Sequence, residues 1–296
     1  MRLGLGKLAS LLVLAFLGSA TAARAQNPDT IAPEESEAKA KRILQQVIVA
    51  MGGPAYLAMT SRQCDGRRAL IGHSGELSGY IGFKDAWHYP DKIRTDYVAH
   101  SHNTLLGYLI GVQDLDITKG GTVVTLFSGD RGWVMDRSGV SEMPDISVSQ
   151  FQEAVKQNAD NLLRILTKEE GVHYRWAGLD TVDLHPVDWV EITKGDERTI
   201  RLAVERSSHL VVRTKVVTQD EEFHQPREDV IIYTNYQPRG GVQVPMQITR
   251  ERDGKRLSQV FYDDCHVNPG LPPDYFTRDG LEKRFKETGG KAKANK

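Results

Sequence analysis

The chain has 296 residues, 38 Lys and Arg against 39 Asp and Glu for a formal net charge of −1, and is 40% apolar and 7% aromatic. A nucleic-acid binder needs a basic face or a recognised module, and neither is visible, which excludes that class. The length, unbroken by any Pro- or Gly-rich linker, fits one large β-rich domain better than two small ones.

Residues 1–25 read as an export signal. Arg2 and Lys7 make a positive start, residues 8–17 an apolar run too short to span a bilayer comfortably, and Ala23-Arg24-Ala25 a small-residue cleavage site. Cleavage removes three positive charges, Arg2, Lys7 and Arg24, and no acid, so the mature chain carries −4. No cysteine follows the apolar run, so a lipid anchor is not expected and the product reads as a soluble, monomeric periplasmic protein. That compartment lacks ATP and NAD, so no cofactor is expected, and transport, binding and hydrolysis are the functions left open.

Residues 26–33 read as a flexible polar arm. A helix follows over 34–51, where Ala40, Ile43, Leu44, Val47, Ile48 and Met51 recur at three- and four-residue spacing before Gly52-Gly53 ends it. From residue 60 the pattern alternates as strands do, and Gly72, Gly75, Gly79 and Gly82 allow the sheet to bend. Residues 87–97 continue as strand across a turn at Pro90-Asp91, and 99–121 fit either a hairpin or a flap. Residues 122–127 and 133–136 form a hairpin about Ser128-Gly129-Asp130-Arg131-Gly132. A second helix is expected with Ser147 and Gln150 as a capping box and Val148, Phe151, Val155, Ala159, Leu162, Leu163 and Leu166 as its stripe.

The remainder, from 172 to 266, reads as seven strands. Ile200, Leu202 and Val204 share one face, as do Val242, Val244, Met246 and Ile248 on theirs, which describes a sheet packed on one side. The fold class is therefore mainly β (α+β): a strongly curved antiparallel sheet forming an unclosed barrel, covered by the N-terminal and mid-chain helices. The domain runs over 34–278. The stretch 279–296, with Lys283, Arg284, Lys286, Lys291, Lys293 and Lys296, reads as a disordered basic tail, attraction to anionic lipid headgroups being the alternative.

Cys64 and Cys265 flank the sheet region. They are either bridged, which an oxidising compartment favours, or two buried thiols. Catalytic patterns are missing: Gly72-His73-Ser74-Gly75 has Glu76 where a nucleophile elbow needs glycine, and no acid pair has a spacing that commits it. His100 and His102 with Asp114 and Asp116 lack a committed third ligand, so no metal site is assigned. An apolar concave face is either filled by side chains or held open for a greasy ligand. In the second case Trp87, Trp133 and Trp176 are rigid walls, with Met135, Met143, Phe151, Leu162, Leu166 and Met246 as further lining.

Three short stretches carry a family likeness: Trp87-His88-Tyr89-Pro90-Asp91-Lys92-Ile93-Arg94, Phe127-Ser128-Gly129-Asp130-Arg131-Gly132-Trp133, and Tyr233-Thr234-Asn235-Tyr236 followed by Gly241-Val242-Gln243-Val244-Pro245. Over about 38–277 the chain resembles the LolA-like periplasmic superfamily, the outer-membrane lipoprotein-sorting carriers and their relatives. The resemblance implies a half-barrel lidded by helices that accepts lipid or lipoprotein acyl chains, with membrane-bound donor and acceptor proteins as partners. A non-transporting sensor or regulatory module of the same fold is the alternative, and a hydrolase comes third. In those carriers an arginine directly before the proline of the first turn latches the lid; this chain has Tyr89 there, and its 99–121 insert has no counterpart.

Overall fold

The computed structural model describes residues 27–72, 75–98, 122–195, 199–219 and 225–293. The expected export signal over residues 1–25 and the segment 99–121, with His100, His102, Asp114 and Asp116, lie outside the described residues.

One antiparallel sheet of 13 strands dominates the fold. Its strands are β1 (Ser61–Ile71), β2 (Leu77–His88), β3 (Lys92–Val98), β4 (Thr122–Ser128), β5 (Arg131–Met135), β6 (Val140–Glu142), β7 (Val172–Val182), β8 (His185–Lys194), β9 (Ile200–Glu205), β10 (Val211–Gln219), β11 (Pro226–Arg239), β12 (Val242–Arg252) and β13 (Lys255–Val267). The spatial order is β6-β5-β4-β3-β2-β1-β13-β12-β11-β10-β9-β8-β7. The first and last strands therefore meet in the middle, while β6 and β7, successive in sequence, are the two free edges. Between them the chain runs through two helices, so the gap in the barrel is crossed by helix rather than by strand.

Among the described residues five α-helices accompany the sheet: α1 (Pro33–Ala50), α2 (Pro54–Ala58), α3 (Asp145–Gln157), α4 (Ala159–Arg164) and α5 (Arg278–Lys293). Proline opens α1 and Glu34 and Glu35 occupy its first turn, where they complement the positive helix end. Gly52 follows at φ +126°, and a Cβ there would stand 2.3 Å from the Gly241 carbonyl oxygen. That contact seats the helix end on β12, where Gln243 N–H also donates to Met51 O at 2.9 Å. Ala40, Ile43, Leu44 and Val47 of α1, Tyr56 of α2, Val148 and Phe151 of α3 and Leu162 and Leu163 of α4 join the strands' inward residues in one buried cluster.

Four expectations need correction. The mid-chain helix is two helices: Asn158 is extended (φ −66°, ψ 126°), and its side-chain oxygen accepts from the N–H groups of Asp160 and Asn161 to start α4 afresh. The residue preceding α3 is Pro144, so Ser147 is no cap; it lies buried inside the first turn. The arm is not free either: Pro28–Thr30 forms a 3-10 turn on β7, with Asp29 paired to Arg175.

The fourth correction concerns the tail. Residues 278–293 are helical, Leu281 is fully buried and Phe285 packs beside it. Together with Phe276 they cover Ala86, Val124, Leu126, Trp133 and Met135 on the outer face of the sheet. In consequence β4 and β5 are buried on both faces, and the sheet is not packed on one side only. Arg94 and Arg284 both reach Asp96, and the Arg94 guanidinium lies 4.2 Å from the Tyr275 ring centre, which fastens this helix to β3.

Cys64 and Cys265 stand directly opposite each other in the β1–β13 pair and are bridged. The bridge joins residues 201 apart in sequence, and both cysteines are buried.

Candidate functional site on the concave face

Strand alternation places Arg62, Cys64 and Arg68 of β1, Ile81, Phe83, Asp85 and Trp87 of β2 and Met246 of β12 on the inner face. Of the nine expected lining residues, Trp87, Met143, Phe151, Leu162, Trp176 and Met246 belong to the inner cluster, with Leu166 packed against it. Trp133 and Met135 do not. They project to the outer face beneath α5, because β5 alternates and Val134 takes the inward position. Trp87 stacks on Tyr89 at 6.1 Å and meets Phe151 at 6.4 Å, and Phe151 stacks on Phe127 at 4.5 Å. Trp176 is held by α1 and β8: its backbone N–H donates to Ser36 Oγ and Lys39 Nζ of α1 lies 3.1 Å from its ring centre, while its Nε1 donates to Asp188 of β8 at 2.7 Å. Among the described residues, these inner side chains are buried or half-buried and packed on one another.

A cleft of about 420 Å³ lies elsewhere, on the outer face. Arg94, Asp274, Tyr275, Lys283, Arg284 and Glu287 line it, so it is a polar groove beside α5 and not a greasy cavity.

Inside, the helices are fastened to the sheet by charge. Asp160, near the start of α4, accepts from Tyr89 Oη at 2.7 Å, from Tyr56 Oη at 2.9 Å and from Arg62 Nη1 at 3.4 Å. One carboxylate thus joins α4 to α2, to β1 and to the turn between β2 and β3. Arg164, at the other end of α4, lies 4.7 Å from the Tyr89 ring centre and 5.4 Å from that of Tyr56, and donates to Met59 O. Burial holds the Tyr56 and Tyr89 hydroxyls well above the usual tyrosine range, and the adjoining Asp160 charge adds to the effect, so both stay protonated donors. Tyr89 thus joins the turn between β2 and β3 to the helical cover, as a donor to a carboxylate.

A second buried acid stands deeper on the same face. Asp85 accepts from Tyr262 Oη at 2.9 Å, while its other oxygen and the Nε atoms of Arg62 and Arg68 are buried without partners. Burial pushes the Asp85 carboxyl up to about 6, against the opposing pull of Arg62 and the Tyr262 hydrogen bond. A carboxyl raised on folding keeps its proton in the native state over a window where the unfolded chain has lost it, here between roughly pH 4 and 6. Its contribution therefore falls as pH rises through that window. Asp85→Asn is expected to gain stability on the wild type by on the order of 2–3 kcal/mol between pH 4 and 7. Urea titrations of both proteins across that range check this, and a constant difference would show that Asp85 titrates normally.

Sequence reasoning missed Tyr56, Arg62, Asp85, Asp160 and Arg164. One signal was available: Arg62 and Arg68 share parity with Cys64, so a charge recurs on the face that the cysteine marks as inward.

No protein-family model matches the sequence, and neither does any curated protein. Solved structures do match. A DUF1329 family protein from Desulfovibrio piger aligns over 82% of this chain and 98% of its own at 13% identity and a TM-score of 0.50. A domain from Vibrio parahaemolyticus described as outer-membrane lipoprotein-sorting aligns over 85% and 100% at 9% identity, also with a TM-score of 0.50. A LolA superfamily protein from Nitrosomonas europaea aligns over 82% and 99% at 16% identity with a TM-score of 0.48. This chain's unclosed antiparallel sheet with helices on its concave side thus shares the fold of the DUF1329 protein and of the lipoprotein-sorting domain, and its fold is LolA-like.

Proposed function

We propose that this chain is an exported periplasmic carrier or binder of acylated, hydrophobic ligands, which it takes up on the concave face of the sheet. The observation that carries the reading is the construction of that face. An apolar inner layer lies under four helices, two of which cross the gap between the free edges β6 and β7. Helices spanning an open edge can move without breaking a strand ladder, and the break at Asn158 supplies a hinge between α3 and α4. The closed arrangement described here has its lining residues packed on one another. Uptake then requires the helical cover to lift, exposing Trp87, Phe151 and Met246, with Tyr89, Arg62 and Asp160 as the fastening that must release.

Burying an acyl chain is worth about 0.8 kcal/mol per CH₂, so a 16-carbon chain offsets the loss of one such cluster several times over. Membrane-bound donor and acceptor proteins would supply directionality. No catalytic role is assigned. No helix among the described residues is long and apolar enough to cross a membrane.

The test is direct. Native mass spectrometry of gently purified mature protein is expected to show a bound acylated species, and a fluorescent fatty acid is expected to bind the stripped protein. Trp87→Ala should weaken that binding more than Trp133→Ala, since only Trp87 faces inward. Absence of bound lipid together with absence of uptake would sink the carrier reading.

A further inference from the structure

Beyond the Asp160 cluster the inner face holds more positive charge than negative. Arg68 sits between Ile81 of β2 and Val260 of β13, and Val260 in turn pairs with Ile248 of β12, two residues before Arg250. Arg68 Nη1 donates to Tyr97 Oη at 3.0 Å, its guanidinium lies 5.6 Å from the Phe83 ring centre, and its Nε is buried without a partner. Arg250, half-buried, faces the tyrosines Tyr233 and Tyr262 and feels Arg68 as a like charge. The acid in its reach, Asp229, is already engaged by Arg252 at 2.7 Å and Arg227 at 3.7 Å. Among the described residues no ion pair joins Arg68 or Arg250 to a carboxylate.

With Arg62, Arg164, Arg227 and Arg252 these make six guanidiniums against the carboxylates of Asp85, Asp160 and Asp229. Arg68 and Arg250 feel Asp85 and Asp229 only at a distance; partly desolvated cations without a directly paired carboxylate are unfavourable, and a ligand that brings a carboxylate or phosphate lowers that cost. Guanidinium groups suit such ligands because their planar forks pair with two oxygens at once. The neighbouring Ile81, Phe83 and Val260 are buried and Ile248 is half-buried, so a hydrocarbon chain would lie along them once the helical cover lifts.

We infer that the concave face takes amphiphiles ending in an acid, with Arg68 and Arg250 holding the carboxylate or phosphate and the acyl chain lying along Ile81, Phe83, Ile248 and Val260. The inference rests on the proposed carrier reading and narrows it. Acyl chains joined to a polypeptide by ester or amide links end in no acid and would leave both guanidiniums unpaired, so acidic lipids are the ligand class.

Hexadecanoic acid, hexadecyl phosphate and methyl hexadecanoate, compared at pH 8 by displacement of a fluorescent probe, test it with wild-type protein alone. The two acids are expected to bind at least tenfold more tightly than the ester. In Arg250→Met and Arg68→Met that advantage should shrink below threefold, and Arg250→Lys should keep most of it. Inorganic phosphate separates a lipid head from a free anion: competition at the concentrations where the amphiphiles act would overturn the inference in favour of a plain anion site. Equal binding of acid and ester overturns it while leaving the carrier reading intact. Failure of all three amphiphiles to bind overturns both.

Discussion

Replacing Cys64 and Cys265 together by alanine is expected to lower the unfolding free energy by about 5 kcal/mol, the chain-entropy value for a loop of this length. The size follows from where the bridge lies. It closes a loop over 201 residues of sequence separation, so the reduced unfolded chain regains a large ensemble that the bridge denies it. Within the native sheet the same bridge ties β1 to β13, the pair at which the two ends of the chain meet. Urea unfolding of both proteins checks it: the midpoint should drop, and the slope should rise as the unfolded state expands. Domains of this kind have about 5–15 kcal/mol in total, so the variant is best compared at low temperature. A loss under about 1 kcal/mol would mean that the unfolded chain stays compact without the bridge.

The strand succession was legible because alternation and turn residues mark strands independently of their neighbours. Residues 87–97 and 122–136 fold as their spacing indicates, as do the late strands from β8 to β13. The tail was not legible. Leu281 and Phe285 are two apolar residues among many charges, too few for a stripe, and they count only because Trp133, Met135 and Leu126 present an apolar patch on the outer face. That patch was hidden for a related reason: β4 and β5 read as near-continuous apolar runs, and such runs do not say which side a given tryptophan takes. The break at Asn158 was masked by the stripe continuing on both sides of it. Buried charges are the hardest to read. Asp160 sits beside Ala159, Leu162 and Leu163 as any solvated helix residue could, and its partners Tyr56, Arg62 and Tyr89 are 71 to 104 positions away.

Asp160→Ala should be the most damaging single change on the inner face, costing about 3–5 kcal/mol, because it leaves the buried Arg62 without its carboxylate and two tyrosine hydroxyls without an acceptor. Tyr89→Phe removes one charge-assisted hydrogen bond and keeps the ring stacked on Trp87, so it should cost only about 2 kcal/mol. The two substitutions separate a fastening from a mere core contact. If the cluster holds the helical cover shut, Tyr89→Phe should speed uptake of a fluorescent fatty acid and raise amide exchange across α3 and α4, while β1 and β13 beside the disulfide stay protected. Combined with Asp160→Asn in a double-mutant cycle, it should show a coupling of about 1 kcal/mol or more. Lower stability with uniform exchange and unchanged uptake would make Tyr89 a packing residue and place the gate elsewhere. Local exchange with faster uptake would instead show that the Tyr89–Asp160 hydrogen bond is the fastening that holds the helical cover shut.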